Sequence, residues 1–174
     1  MCINNLYCRV QFHVEDAITM EYPINYYDAI HSRDAILHMR DKHTLFANFL
    51  KCLKPGGKLL ITDYCCHAQQ NEQNQEFLDY VKNYHYHLLT VQQYGQLLED
   101  AGFSDVVALD NSKHFSSILE KELAEMSTEK GASEFRKDFS LEEYDTWCNL
   151  WKGKIKRVEN GDHVWGLFTA NKPS

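Results

Sequence analysis

Two apolar runs, each ending in a short polar patch, do most to limit what this chain can fold into. The first is Tyr26–His31, which gives way to Ser32-Arg33-Asp34 and at once to a helical pattern beginning Ala35-Ile36-Leu37-His38. The second follows Leu53-Lys54-Pro55-Gly56-Gly57, where Lys58-Leu59-Leu60-Ile61-Thr62 stops in Asp63-Tyr64. Proline presets one backbone angle and glycine reaches positive φ, so Pro-Gly-Gly predicts a turn that ends the helix and feeds the next strand. Strand, helix, turn and strand in that order predict an α/β layer. In open α/β sheets ligands bind beyond the carboxyl ends of the strands. Both polar patches lie there, which makes them the expected walls of a site.

The flanking segments extend the pattern. Residues 8–18 alternate, with Val10, Phe12 and Val14 on one face, and predict a strand closed by Glu15-Asp16. Tyr26–His31 reads as a buried strand, and apolar spacing from Ile36 to Leu53 predicts a helix over 35–53. Residues 58–64 predict a strand, 67–76 a loop or helix entry, and 76–84 a helix. Thr90 predicts an N-cap for a helix through Ala101, with Gly102 as its stop. Residues 103–109 predict a strand. Residues 114–129 and 139–151 predict two amphipathic helices joined by a polar hinge around Gly131, and 163–170 a closing strand. The expected architecture is one α/β sandwich over residues 1–174 on a mostly parallel sheet. A nucleotide-binding α/β domain usually opens with a strand, a Gly-rich turn and a helix, yet no glycine precedes residue 56. The chain therefore reads as a Rossmann-like domain lacking that amino-terminal unit.

Bulk composition narrows the function. At 174 residues, with 44% hydrophobic and 13% aromatic content, the chain can bury a real core. A formal charge of −7 argues against a nucleic-acid partner, which calls for a basic face. The six cysteines form no C-x-x-C pair and the nine histidines no H-E-x-x-H, so no metal site is expected. Cysteines without such pairing read as reduced thiols of a cytoplasmic protein. No apolar segment reaches membrane-spanning length, and the start lacks the pattern of a secretory signal.

The motif Ser32-Arg33-Asp34-Ala35-Ile36-Leu37-His38, the run Leu59-Leu60-Ile61-Thr62-Asp63-Tyr64-Cys65, and a tail of Trp151, Lys154, Arg157, Gly161, Trp165-Gly166, Phe168, Ala170 and Lys172 occur in order. Together they resemble the phosphoethanolamine N-methyltransferases, class I enzymes that use S-adenosylmethionine. The resemblance runs from about Val10 to Lys172. It implies a partial class I methyltransferase fold and N-methylation of phosphoethanolamine and its mono- and dimethyl forms toward phosphocholine. It also implies that a missing amino-terminal part or a second domain of a longer enzyme would be a partner.

Methyl transfer from a sulfonium to an amine needs alignment, exclusion of water and a base for the amine proton. Asp34 and His38 are the candidates. Their spacing at a strand-to-helix junction predicts a shared helix face, where a carboxylate would orient the imidazole and raise its basicity. On spacing alone Asp34 also reads as a helix cap and His38 as a surface histidine; the resemblance favours the catalytic pair. By resemblance, Asp16 contacts the donor's adenine, Ala17 packs on it, and Ser32 and Arg33 border its methionine portion. Tyr64, Tyr86 and Lys154 make up the implied phosphate and choline side: hydroxyls and an ammonium for the phosphate, aromatic faces for a quaternary ammonium. Tyr84 stands where the family carries an arginine. Two other readings stay open: a degenerate, non-catalytic copy serving as an interaction or regulatory module, and a methyltransferase for another small metabolite.

Overall fold

The computed structural model describes residues 10–67 and 74–174. Among these residues four strands form one mixed sheet in the order β1-β2-β4-β3, with β1 at Tyr27–Arg33, β2 at Leu53–Cys66, β3 at Ser104–Asp110 and β4 at His163–Asn171. β1 runs parallel to β2, while β4 is antiparallel to both β2 and β3. The mostly parallel sheet expected from the strand order is therefore corrected. β1, β2 and β3 share one direction, but β4 enters between β2 and β3 in reverse. Alternation along a strand is the same in either direction, so periodicity carries no sign of this.

Six helices cover the sheet among the described residues: α1 (Lys42–Cys52), α2 (Gln75–Asn83), α3 (Val91–Asp100), α4 (Ser112–Met126), α5 (Glu129–Phe135) and α6 (Leu141–Glu159). Side-chain alternation splits the sheet into two faces. Leu59, Ile61 and Cys65 of β2, with Val164, Phe168 and Ala170 of β4, pack against Phe46 and Phe49 of α1 and Tyr94 and Leu98 of α3. The opposite face pairs Tyr64 and Trp165 with Phe115 and Leu119 of α4 and Trp151, Ile155 and Val158 of α6. The candidate site lies on this second face.

Several expected elements hold. α3 has Thr90 as its N-cap in a reciprocal capping box with Gln93, and Gly102 follows its end at φ +102°. α2 and β3 fall close to their predicted bounds. Others differ. No strand forms over residues 10–18, where Phe12 and Val14 are fully exposed. A strand needs a neighbour to take its backbone hydrogen bonds, and among the described residues none lies beside this segment. β1 forms where Tyr26–His31 predicts it, but half-exposed and, among the described residues, paired on one side only.

The long helix over 35–53 is broken. A single 3₁₀ turn, Ile36–His38, ends in an extended Met39, and Asp41 then caps α1 by accepting from the Thr44 amide at 3.0 Å. Pro55-Gly56-Gly57 bulges within β2 rather than preceding it, so the pairing slips from Tyr27 opposite Leu53 to Ala29 opposite Lys58. Gly131 is no hinge: Thr128 accepts from its amide at 3.0 Å and opens α5. α6 runs past residue 151 because Ile155 and Val158 continue its apolar face.

Candidate functional site

The carboxyl ends of β1 and β2 lie side by side, with Ser32 opposite Ile61 and Arg33 opposite Thr62. Asp34 leaves β1 in a left-handed conformation, φ +48°, while its amide donates to the Thr62 carbonyl at 2.8 Å. That turn aims its carboxylate at β4, where the Trp165 indole N–H donates to Oδ1 at 2.8 Å. Phe115 stacks on Trp165 at 5.1 Å and 17°, which fixes the indole. Burial raises the Asp34 carboxyl above its ordinary range, against the opposing pull of the Trp165 hydrogen bond, Arg33 and Lys154.

The expected Asp34–His38 pair on one helix face is corrected. Asp34 lies outside any helix, and its carboxylate meets Trp165 instead. His38 ends the 3₁₀ turn, exposed, with its ring 5.1 Å from Tyr86 in an edge-on contact. A buried ammonium sets that turn. Lys42 Nζ donates to the carbonyls of Ile36, Met39 and His87 at 2.9, 2.6 and 2.8 Å. The His87 amide donates in turn to the Leu37 carbonyl at 2.7 Å. The Tyr86 loop is thereby tied to the His38 turn.

Tyr86 continues into an aromatic cluster, 6.2 Å from Tyr64, 5.6 Å from Tyr80 and 5.5 Å from Tyr84. Lys154 of α6 donates to the Tyr64 hydroxyl at 2.9 Å and lies 4.8 Å from the Trp151 ring centre. Burial lowers the Lys154 ammonium, with Arg157 adding to the effect and Asp34 opposing it. Burial likewise pushes the Tyr64 and Tyr86 hydroxyls up, keeping them neutral donors. His163 closes the floor, 4.4 Å from Tyr64 and almost fully buried, and its pKa is pushed down to about 3 by that burial and by Lys154 and Arg157.

Of the residues singled out from sequence, Asp34, His38, Tyr64, Tyr86 and Lys154 are thus brought around one basin. Arg33 borders it, 3.9 Å from Asp34, and Ser32 is half-buried in β1. Asp16 and Ala17 are elsewhere. Asp16 turns back to accept from the Ile18 amide at 2.8 Å, and the Ala17 carbonyl takes the Tyr22 hydroxyl at 3.1 Å, beside α1. No hydrogen bond or ion pair joins that turn to Ser32 or Arg33 among the described residues. The expected common edge is met by Ser32 and Tyr64, at the carboxyl ends of β1 and β2. Trp165, Tyr80, Arg157, His163 and Lys42 were not singled out as site residues. Trp165 and Arg157 were visible in the tail motif; nothing local marks Lys42.

Comparison with known proteins gives the site its context. A family described as a methyltransferase domain matches residues 5–108. Phosphoethanolamine N-methyltransferase 1 of Triticum aestivum is 50% identical over 165 residues, covering 95% of this chain and 32% of the relative. The phosphoethanolamine N-methyltransferase of Plasmodium falciparum is 39% identical, covering 94% and 61% respectively. Among solved structures, phosphoethanolamine N-methyltransferase 2 of Haemonchus contortus, in complex with phosphomonomethylethanolamine and S-adenosylhomocysteine, superposes with a TM-score of 0.85 at 32% identity. That match covers 91% of this chain and 36% of the other. The chain thus spans about a third of the length of the plant relatives it matches. With the family match over more than half of its length and the sheet and helices superposing as described, the chain belongs to the methyltransferase-domain family, among relatives named phosphoethanolamine N-methyltransferases.

Proposed function

We propose that this chain forms the acceptor side of an S-adenosylmethionine-dependent N-methyltransferase acting on phosphoethanolamine and its methylated forms. One observation carries the reading: the Lys154 ammonium is hydrogen-bonded to the Tyr64 hydroxyl and flanked by aromatic faces on one side of the Asp34 carboxylate. An ammonium and a phenol suit a phosphate, and aromatic faces with a carboxylate suit an ammonium that gains methyl groups. A substrate with its two charges at opposite ends matches that arrangement.

The donor, when bound, supplies a methyl group on a sulfonium. The chain's own residues would then hold the acceptor and move its proton. Asp34, fixed by Trp165, would anchor the amine. His38, at the mouth and in contact with Tyr86, would take the proton that the amine must lose before it can attack. For the donor itself, Asp16 has a carboxylate oxygen free of the local turn and fits a hydroxyl or amine donor. Ala17 packs on the core beneath it, and Ser32 and Arg33 lie beside the acceptor basin. A cytoplasmic setting belongs to the same proposal: among the described residues Cys52, Cys65 and Cys148 are buried free thiols, as a reducing compartment favours. No helix among the described residues is long and apolar enough to cross a membrane.

Calorimetry with the product-like ligand phosphocholine and with choline tests the reading. The chain is expected to prefer phosphocholine, and Lys154→Met to reduce that preference roughly tenfold or more, the worth of one charge-assisted contact. An unchanged preference in Lys154→Met would show that the phosphate is not held here. Equal affinity for both ligands in the unaltered chain would turn the proposal toward another small-metabolite acceptor.

A further inference from the structure

Arg157 is unaccounted for by the reading above. It follows Lys154 by one turn of α6, so the two cations emerge on the same side of the helix. Its guanidinium carbon lies over the Tyr80 ring, 3.8 Å from the ring centre. Gly153 makes room for that placement, since a Cβ there would come within 3.1 Å of the guanidinium Nη1. The Nε–H is buried and has no hydrogen-bond partner among the described residues. No carboxylate lies within ion-pair distance of Arg157 or of Lys154 among the described residues, whose ion pairs all involve other groups.

This arrangement is unfavourable as it stands. Two like charges share a partly buried surface, each disfavouring the other; Asp34 and Glu122 offset the Lys154 charge only from beyond ion-pair distance, and no ion pair neutralises Arg157 among the described residues. The effect is felt by their neighbours: both cations push the His163 imidazole toward neutrality, and Arg157 lowers the Lys154 ammonium. The surrounding hydroxyls of Tyr64, Tyr80 and Tyr86 are donors for oxygen acceptors. Beside them a cavity of about 320 Å³ opens between α2 and α6, with Tyr80, Tyr84, Asn149, Gly153 and Arg157 in its wall. A guanidinium held over an aromatic ring can still offer its Nη donors to a pair of oxygens. An anion bearing several oxygens would supply the missing counter-charge.

We propose that Arg157, held on Tyr80, is the second cation of a phosphomonoester subsite shared with Lys154, and that it determines preference for phosphorylated over unphosphorylated amines. The proposal rests on the acceptor reading for its substrate class, but not for the anion site itself. Tyr84 crowds the same cluster, 4.8 Å from Tyr80, and contributes no charge. The positive charge facing the phosphate would then come from α6 rather than from the α2 side.

The test is a titration of the intact chain followed through the Arg157 Nε–H resonance. Inorganic phosphate is expected to shift it saturably, and chloride at matched ionic strength is not. Phosphocholine should shift it too. Arg157→Gln should weaken phosphocholine roughly tenfold or more and leave choline unchanged, while Arg157→Lys should recover only part of the loss because a point charge lacks the paired donors. If phosphate leaves the Nε–H unmoved in the unaltered chain, the subsite is refuted without recourse to any variant. If Arg157→Gln binds phosphocholine as the unaltered chain does while Lys154→Met does not, Arg157 has no such role and the acceptor reading stands. If phosphate shifts the Nε–H but phosphocholine is not preferred over choline, the subsite stands and the acceptor reading falls.

Discussion

Replacing Lys42 with methionine is expected to lower the unfolding free energy by roughly 3–5 kcal/mol, as for removal of one partner from a buried charged contact. The side chain is 4% exposed, and its ammonium holds the carbonyls of Ile36, Met39 and His87. Methionine fills the same volume but leaves those three acceptors without their donor. The 3₁₀ turn bearing His38 and the loop bearing Tyr86 are hydrogen-bonded to each other through this group and the Leu37–His87 backbone bond, beside the edge-on contact of the two rings. The loss should therefore appear in two measurements: the urea unfolding midpoint, and the His38 ring resonances as the contact with Tyr86 loosens. A change below about 1 kcal/mol would mean that water replaces the ammonium at those carbonyls.

The second large effect depends on pH. Asp63 is fully buried, accepting from the Leu37 amide at 3.2 Å and the Tyr94 hydroxyl at 3.3 Å. Burial raises its pKa from 3.8 to about 7, more than Lys42 and the hydrogen bonds lower it. The folded chain therefore keeps this proton through the interval in which the unfolded chain has lost it. Its contribution to stability is fully present below about pH 4, declines as pH rises toward about 7, and is gone above that. The full span corresponds to roughly 4 kcal/mol. Asp28, Asp41 and Glu143 are shifted the other way by their hydrogen bonds, so the overall profile is a sum of opposing slopes. Comparison with Asp63→Asn isolates the relevant one. The variant should gain stability relative to the parent as pH rises through the window. Parallel profiles would establish that Asp63 is ionised in the fold.

Much of this architecture can be read from local chemistry. Thr90 with Gln93, and Gly102 after α3, mark a helix by the groups that satisfy its ends, and those groups lie within a few residues of one another. The run to Tyr64 announces β2 in the same way. Failures occur where the deciding partner is remote. Val10, Phe12 and Val14 alternate as a strand does, but pairing depends on a neighbour. Asp34 and His38 are spaced for one helix face, yet Asp41 reopens the helix three residues beyond His38, and Trp165, distant in sequence, takes the carboxylate. The tail motif brings Lys154 to notice by resemblance, and the structure places it against Tyr64. The same motif includes Arg157, one turn further on, but the resemblance attaches no role to it.

The reversed entry of β4 has a consequence for how the molecule is made. β2, already paired with β1, and β3 are joined to each other through a strand that is translated after both of them, and residues 163–171 pair with each along most of its length. Until those residues leave the ribosome, β2 and β3 each present an open edge, and neither Trp165 nor His163 is available to complete the basin. Long-range pairing of this kind closes slowly and exposes unpaired edges meanwhile. Nascent chains arrested before residue 163 are thus expected to be cleaved readily by protease around β3, and chains extended beyond residue 171 and clear of the exit tunnel to resist it. Assembly of the proposed acceptor site would then be a late event of synthesis, governed by the arrival of one short strand.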